Sequence, residues 1–331
     1  MNANLPPAFS VVVPTYRREN LLWRAIESVL RQTWKDFELI VVDDASPDHG
    51  AERAVTRFAD PRLRMVRREV NGGAAATRNT GIREARGALV ALLDDDDEYL
   101  PRFLERTYET LAHAPQEVGF TWCGVRWVEP RAGGTESTRD EVWTPTYPSR
   151  EEAYLGFLRS RRIGTNCGLA FRRDALREVG GFDEAFPGGA EDTDLLVRLV
   201  RRFDFRVVPE TLIRIHLHGG DRLRGVTVWQ AEGYERILAK HRTTLAAHPD
   251  VAAELHYKTG WLHYHAGNRR KGRRHLLTSL ARRAFRPRTW AALVLHEIFG
   301  ARAPSLHRRL STLRRRTPPL SVVPDRAGED P

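Results

Sequence analysis

Four consecutive aspartates, Asp94 to Asp97, follow an apolar run in the segment LLDDDDEYLP. Adjacent carboxylates repel one another, so the run is favourable only in a solvated loop or beside a cation. Carboxylate oxygens are the ligands that Mg²⁺ and Mn²⁺ prefer, and these ions commonly keep open positions for phosphate oxygens. In an extended segment, Asp94 and Asp96 would point one way and Asp95 and Asp97 the other. The run predicts either an acidic loop or an Asp-x-Asp metal site, in one of two registers, of which we favour Asp94 with Asp96.

The segment NGGAAATRNTG has the features of an anion site. Small residues and a helix start follow a predicted strand there, and the free N–H groups and dipole of a helix N-terminus favour negative charge. Arg78, about one turn into the helix, would reach a phosphate with its planar donor fork. The alternative is a plain strand-to-helix turn with a surface arginine. Neither the phosphate loop ending in Lys-Ser/Thr nor the Gly-rich dinucleotide fingerprint occurs, so ATPase and NAD-enzyme functions have no support.

Two more pairs of carboxylates lie at predicted element ends. Asp43 and Asp44 end the second predicted strand, where a carboxylate accepts hydrogen bonds from a base or a ribose, or caps the turn DASPD. Glu191 and Asp192 lie where a Gly-rich loop becomes an amphipathic helix. A carboxylate there either takes the proton of an attacking hydroxyl or interacts with the helix dipole.

Strands alternating with helices position these side chains. The runs FSVVV, FELIVVDD, LRMVRRE and ALVALLD are typical of strands, and the segments between them have helical periodicity. This alternation predicts an α/β fold with a mostly parallel central sheet and helices on both faces. Ligands bind such sheets at the carboxyl ends of the strands, where PTYRRE, DDASPD, NGG and the aspartate run occur.

The rest of the chain is less regular and then helical. VGFTWCGVRWVE, GLAFRR and FRVVP are predicted strands, and RAGGTESTRD is a predicted polar loop. EDTDLLVRLVRRF is a predicted helix. Beyond about residue 225 the pattern is helical throughout, with a hairpin of two helices turning at Gly267 and Asn268.

Composition and charge limit the function classes. The 331 residues are 41 % hydrophobic and 29 % charged, as in a globular protein. The net charge of +10 is uneven, because residues from Asp221 onward include 22 basic and 9 acidic side chains, against 31 and 34 before. Two distant cysteines, Cys123 and Cys167, argue against a disulfide framework or a structural zinc site and fit a reducing cytosol. We expect neither a signal peptide nor a transmembrane helix.

The basic C-terminal third predicts a solvated charged surface or contact with an anionic membrane. An apolar stripe is expected on one side of a helix and arginines on the other. The stripe comprises Leu276, Leu277, Leu280, Ala281 and Ala284, and the arginines are Arg273, Arg274, Arg282 and Arg283. We expect no nucleic-acid partner, because no recognisable binding motif and no interleaved aromatic residues occur.

Three segments together resemble the family 2 glycosyltransferases. SVVVPTYRRENLLWRAIESVLRQTWKDFELIVVDDASPD, NGGAAATRNTGIREARGALVALLDDDDEYLP and GGAEDTDLLVRL have the order and spacing of that family over roughly residues 8–220. The resemblance implies a GT-A fold and inverting transfer from a nucleotide sugar, more often UDP-linked, to an acceptor hydroxyl. It also implies a divalent metal, Mn²⁺ or Mg²⁺, and an acceptor such as a glycan or lipid-linked glycan of the cell envelope.

The resemblance also assigns residues to roles. The implied donor-binding residues are Pro14, Thr15, Tyr16, Asp44, Asn71, Gly73, Arg78 and Asp94, with Asp44 facing the base. Asp94 and Asp96 are the implied metal pair, Asp192 the general base and Glu191 its alternative. Many relatives also have an Arg-x-His segment whose histidine contacts diphosphate or metal. Here IRIHLHGGDRLR offers His216 and His218; we favour His218 as a metal ligand, and an ordinary polar role remains open for both.

We therefore expect a glycosyltransferase with three parts: a GT-A catalytic domain over 1–224, a basic helical region over 225–316 and a disordered tail over 317–331. The expected location is the cytoplasm, with peripheral attachment to the inner face of the cell membrane as an option. Two alternatives remain. One is a metal-dependent nucleotidyl or phosphoryl transferase, and the other is a non-catalytic relative that binds a nucleotide sugar or glycan.

Overall fold

The computed structural model describes residues 5–131, 134–159, 168–186, 188–217 and 228–299, which form nine strands and twelve helices. In chain order the strands are β1 Phe9–Thr15, β2 Phe37–Asp43, β3 Leu63–Arg67, β4 Leu89–Leu92, β5 Asp97–Tyr99, β6 Val118–Pro130, β7 Glu136–Glu141, β8 Leu169–Arg172 and β9 Asp204–His216. The helices are α1 Glu19–Leu30, α2 Gly50–Val55, α3 Gly73–Glu84, α4 Phe103–Ala112, α5 Arg150–Arg159, α6 Arg173–Glu178, α7 Glu191–Arg202, α8 Val228–Lys240, α9 Arg242–Ala247, α10 Pro249–His265, α11 Arg269–Arg282 and α12 Pro287–Phe299.

The strands form one mixed sheet in the order β3-β2-β1-β4-β8-β6-β9-β5, and β7 pairs with β6 outside this path. The first four strands in this order are parallel, because α1, α2 and α3 supply the crossovers that parallel neighbours need. β8 is antiparallel to both β4 and β6, and β5 is antiparallel to β9. The predicted α/β fold is confirmed. Among the described strands, parallel pairing occurs in these four and between β6 and β9.

Two hydrophobic cores cover the two faces of the sheet. Because successive strand residues point to opposite faces, Ile40 of β2 belongs to one core and Val41 to the other. On one face, α3 packs so closely on β1 that a Cβ on Gly81 would lie 2.2 Å from Cγ1 of Val12. This close packing fixes α3, and with it Arg78, against the sheet.

The predicted polar loop RAGGTESTRD is wrong in part, because its second half forms β7. Arg126 of β6 and Asp140 of β7 are register partners, joined by two hydrogen bonds of 2.8 Å. β7 is largely exposed on both faces, so the period-2 pattern that marks a half-buried strand does not occur in its sequence.

The predicted helical hairpin is confirmed as α10 and α11. Gly267 has a φ of +82° in the turn, which glycine adopts readily, and the Asn268 side chain accepts a hydrogen bond of 3.2 Å from the Lys271 amide. Ala231, Ile237 and other residues of α8–α10 pack in the same core as the sheet. The predicted boundary at 224/225 therefore does not separate two cores, and the predicted tail lies outside the described residues.

The predicted apolar stripe of α11 is wrong in part. Leu276 and Leu280 are buried, whereas Leu277, Ala281 and Ala284 are exposed. The buried face also contains Gly272, His275 and Ser279, which the apolar pattern did not include. None of the described helices is both long and apolar enough to cross a membrane.

Candidate active site

The aspartate run forms a turn between β4 and β5. The Asp97 amide donates to the Asp94 carbonyl oxygen at 3.2 Å, which is the hydrogen bond of a β-turn. Carboxylate oxygens of Asp94, Asp96 and Asp97 all lie within 4.8 Å of one another. Asp95 differs, since its Oδ2 accepts a hydrogen bond of 2.7 Å from Oγ1 of Thr15. The expectation that Asp97 points away from Asp94 and Asp96 is therefore wrong, because a β-turn brings Asp94 and Asp97, its first and fourth residues, together.

This donor set fits a hard divalent cation. Three carboxylates offer only oxygen ligands, as Mg²⁺ and Mn²⁺ require. The favoured pair Asp94 and Asp96 belongs to the set, and Asp97, whose role the sequence left open, is a third member. Asp97 is fully buried and its Oδ1 also accepts a hydrogen bond of 3.2 Å from the His216 amide.

Arg18, immediately before α1, neutralises part of the charge of the acidic turn. Its Nη1 lies 3.1 Å from Oδ1 of Asp95 and 3.3 Å from Oδ2 of Asp96. Burial raises the pKa of Asp95 to about 6, and the Arg18 charge opposes this shift. Sequence reasoning missed Arg18, although it lies in PTYRRE, one of the polar segments that follow a strand.

Arg78 of α3 joins the acidic turn to the start of α7. Only 5 % exposed, it donates to Oδ1 of Asp94 at 2.8 Å and to Oε1 of Glu191 at 3.0 Å. Its guanidinium also lies 5.5 Å from the ring centre of Phe182. The alternative of a surface arginine is therefore excluded.

The two candidate bases at the start of α7 have different surroundings. Glu191 is buried, and burial and the neighbouring charge of Asp192 raise its pKa, against the opposing charge of Arg78. Asp192 is half-buried, and its Oδ1 accepts a hydrogen bond of 2.6 Å from the Thr193 amide. Ala190 has a φ of +69°, so the chain turns sharply into the helix at this point.

Asp44 links the end of β2 to the start of α3. Its carboxylate accepts hydrogen bonds from the amides of Gly72 at 3.0 Å and Gly73 at 2.8 Å, and it is also bonded to Arg68. The Asn71 side chain donates to the Asp44 carbonyl oxygen at 3.2 Å. These contacts bring Asp44, Asn71 and Gly73 together, and the Asp44 carboxylate is buried.

The remaining predicted donor residues lie at the end of β1, beside Asp44. The Asp44 amide donates to the Thr15 carbonyl oxygen at 3.0 Å. Pro14 precedes Thr15 in β1, and Tyr16, which follows it, is 41 % exposed. Polar and exposed side chains of β1, β2 and β4 thus share one edge of the sheet.

His216 is close to the acidic turn but pairs with a different carboxylate. Its Nε2 lies 2.5 Å from Oε1 of Glu98, and Nη1 of Arg214 lies 3.5 Å from Oε2 of the same residue. The favoured metal ligand, His218, lies outside the described residues.

A family comparison decides the class of this site. The model of the family "Glycosyl transferase family 2" matches residues 10–180, just over half of the chain. The chain belongs to glycosyl transferase family 2. The match includes the acidic turn, Arg18, Arg78 and Asp44, and it ends before Glu191 and Asp192.

Relatives of this family 2 glycosyltransferase include two Escherichia coli proteins that are named as sugar transferases. The putative colanic acid biosynthesis glycosyl transferase WcaA of Escherichia coli K12 is 29 % identical over 246 residues, which are 71 % of this chain and 82 % of that protein. The Escherichia coli protein named UDP-Glc:alpha-D-GlcNAc-diphosphoundecaprenol beta-1,3-glucosyltransferase WfgD is 38 % identical over 96 residues. That match covers 29 % of this chain and 38 % of WfgD, so it includes less than two thirds of either protein.

Solved structures confirm the GT-A fold. A mannosyltransferase of Pyrobaculum calidifontis, in complex with GDP-Man and Mn²⁺, superposes with a TM-score of 0.54 at 19 % identity, over 94 % of this chain and 85 % of that chain. TarS 1-349 of Staphylococcus aureus, in complex with UDP-GlcNAc, superposes with a TM-score of 0.53 at 15 % identity, over 84 % of this chain and 93 % of that chain. At these identities the likeness concerns the fold.

Proposed function

We propose that this family 2 glycosyltransferase transfers a sugar from a UDP-linked donor to an acceptor hydroxyl, with inversion and with a divalent metal. The central observation is the convergence of Asp94, Asp96 and Asp97 with Arg78, which connects them to the first turn of α7. A cation site and a carboxylate base at one sheet edge are the two groups that displacement of a nucleoside diphosphate requires.

The donor would bind across the carboxyl ends of β1, β2 and β4. Asp44 would lie on the nucleoside side, and Asn71 and Gly73, at the start of α3, would lie along the ribose and diphosphate. Asp94, Asp96 and Asp97 would hold the ion, which supplies positive charge for the departing diphosphate. The choice of UDP rests on the names of WfgD and of the TarS complex, while the mannosyltransferase complex contains GDP-Man.

Asp192 is the better candidate for the base. The Glu191 carboxylate is buried against Arg78, whereas Asp192 is half-buried and one residue further along the helix. In the proposed displacement the acceptor oxygen bonds to the anomeric carbon, the bond from that carbon to the diphosphate breaks, and the hydroxyl proton moves to Asp192. Glu191 would keep Arg78 in place beside Asp94.

The proposed acceptor is a glycan or lipid-linked glycan of the cell envelope, reached at the inner face of the cell membrane. The support is the named role of WcaA in colanic acid biosynthesis and the diphosphoundecaprenol in the name of WfgD. The basic C-terminal third complements an anionic membrane surface.

The proposed membrane contact is α12. Trp290, Val294 and Ile298 recur every four residues and are 51 %, 50 % and 68 % exposed, so they form one apolar helix face. Beside them, a cleft of about 500 Å³ is lined by Arg283, Phe285, Arg286, Pro287, Arg288 and Ala291. An apolar face next to arginines suits the interface of an anionic bilayer.

A donor screen tests the proposed function. Thermal unfolding is measured with UDP-, GDP- and dTDP-sugars, with Mn²⁺ or with EDTA, in wild type and in Asp96→Asn. The matching donor at about 100 times its Kd should stabilise wild type by about 2.7 kcal/mol. We expect this gain to need metal and to be reduced in Asp96→Asn. Stabilisation that EDTA does not change would contradict the metal site, and release of pyrophosphate from a nucleoside triphosphate would favour a nucleotidyl transferase.

A further inference from the structure

Three helices of the C-terminal region bring metal-binding side chains together, far along the chain from the acidic turn. Glu235 lies on α8, His263 on α10 and His275 on α11. Nε2 of His263 lies 3.1 Å from Oε1 of Glu235, and Nε2 of His275 lies 3.2 Å from the same oxygen. One ligand atom of each residue lies within 4.8 Å of the other two.

His263 is a buried polar side chain whose bonding is incomplete. The ring is 0 % exposed, and neither nitrogen makes a hydrogen bond to the described residues, even though Nε2 is close to Glu235. A buried imidazole in this condition carries a desolvation cost that a bound ligand would offset. Its Nε2 lies 3.1 Å from Oε1 of Glu235, the oxygen that Nε2 of His275 also approaches.

We propose that Glu235, His263 and His275 form a zinc site that is separate from the acidic turn. Imidazole nitrogen and carboxylate oxygen are ordinary zinc ligands, and three such ligands leave one tetrahedral position for water. Zinc–ligand bonds of 2.0–2.1 Å in tetrahedral geometry separate two ligand atoms by about 3.3 Å. The observed separations of 3.1 and 3.2 Å are close to this value. The cysteine count argued against structural zinc, but here histidines supply the nitrogen ligands.

Neighbouring side chains already orient two of the three ligands. Nδ1 of His256 lies 3.0 Å from Nδ1 of His275, which directs the other nitrogen of His275 towards Glu235. Nζ of Lys271 lies 2.9 Å from Oε2 of Glu235 and leaves Oε1 facing the histidines. Such partners beyond the ligands fix ring orientation and tune affinity in metal sites. Arg274, 3.6 Å from Oε1, is a surface side chain with 67 % exposure and can turn into solvent.

The zinc site would join α8 to the α10–α11 hairpin, close to the start of α7. α8 lies directly on the loop before α7, since a Cβ on Gly233 would be 1.9 Å from the Gly189 carbonyl oxygen. Nζ of Lys240, at the end of α8, lies 2.8 Å from Oδ1 of Asp194 in α7. Zinc would therefore stabilise the packing of α8 against the loop that leads to Asp192.

The test is zinc binding by the full chain after chelator treatment and dialysis against zinc chloride, with bound metal measured by mass spectrometry. Asp96→Asn removes a ligand of the acidic turn, so zinc bound by this variant reports on the second site. We expect one zinc to remain in Asp96→Asn. His263→Gln in that background should lower the zinc affinity at least about 10-fold, since loss of a group that only orients a metal ligand already costs about 10–100-fold. His265→Gln is the matched control on α10 and should keep the zinc.

Cobalt provides a spectroscopic readout that does not depend on the folding of His263→Gln. Co²⁺ added to Asp96→Asn should give the visible absorption of a tetrahedral nitrogen and oxygen site, and zinc should abolish it. The proposal is overturned if Asp96→Asn binds no zinc and gives no such cobalt spectrum. It is equally overturned if folded His263→Gln binds zinc as tightly as the His265→Gln control.

Discussion

Replacing Arg78 by methionine should destabilise the folded chain by at least about 3 kcal/mol. Methionine retains much of the side-chain volume but leaves Glu191 buried without its cation, and loss of one partner from a buried ion pair has this cost. Loss of the contact with Asp94 adds less, because the side chain of Asp94 is 24 % exposed. Loss of the cation–π contact with Phe182 adds about 0.5–2 kcal/mol.

A double-mutant cycle and a pH series separate these contributions. Glu191→Gln removes the buried charge, so Arg78→Met should cost less in that background, with a coupling energy of at least about 1 kcal/mol. Burial already raises the pKa of Glu191, and loss of Arg78 should raise it further. Glu191 would then be protonated in the folded state, so the cost of Arg78→Met should be smaller at acidic than at neutral pH.

The assay is urea unfolding followed by circular dichroism, with the slope m compared between variants. An unchanged m with a lower midpoint would report a change in stability alone. Destabilisation below about 1 kcal/mol, or a coupling energy near zero with Glu191→Gln, would refute the role of Arg78 as the link between the acidic turn and α7.

Two further predictions concern Asp95 and α12. The pKa of Asp95 is raised to about 6 in the folded state. Between about pH 4 and pH 6 the folded state therefore binds a proton that the unfolded state has released, and the contribution of Asp95 to the free energy of unfolding falls as pH rises through this range. In urea unfolding, the difference in free energy of unfolding between Asp95→Asn and wild type should change between about pH 4 and pH 6. A difference that stays constant over this range would contradict the raised pKa of Asp95. For α12, Trp290→Glu with Ile298→Glu should reduce sedimentation with anionic phospholipid vesicles, while Leu5→Glu, which alters an exposed apolar side chain elsewhere, should have no effect. Equal sedimentation of wild type, the Trp290→Glu/Ile298→Glu variant and Leu5→Glu would place the membrane contact outside α12.

The sequence predicted the elements that are buried, either throughout or on one side. β1, β2 and β4 are mostly apolar because both faces are covered, and α1 has its apolar residues on one side. β7 was missed because neither face is buried, and the length of β9 was underestimated because polar residues occur along much of it. Pattern reasoning detects burial, so it fails where hydrogen bonds alone define a strand.

The candidate site was predictable as a set of residues but not as a network. Strand ends identified Asp44, the aspartate run and Arg78, since side chains there must share one sheet edge. The contact of Arg78 with Glu191 joins residues 113 positions apart, and no local pattern specifies it. The turn that adds Asp97 to Asp94 and Asp96 was also hidden, because four identical residues give no sign of where a strand ends.

The most direct measurement of the central claim compares sugar transfer by wild type, Asp192→Asn and Asp174→Asn, each with its donor affinity. Asp174 is the matched control, an exposed aspartate in the first turn of another helix. If Asp192 takes the acceptor proton, Asp192→Asn should bind the donor normally and lose about 10²–10⁴-fold in transfer rate, while Asp174→Asn should match wild type. Transfer by Asp192→Asn within about twofold of the control would contradict the assignment of the base, and so the proposed mechanism.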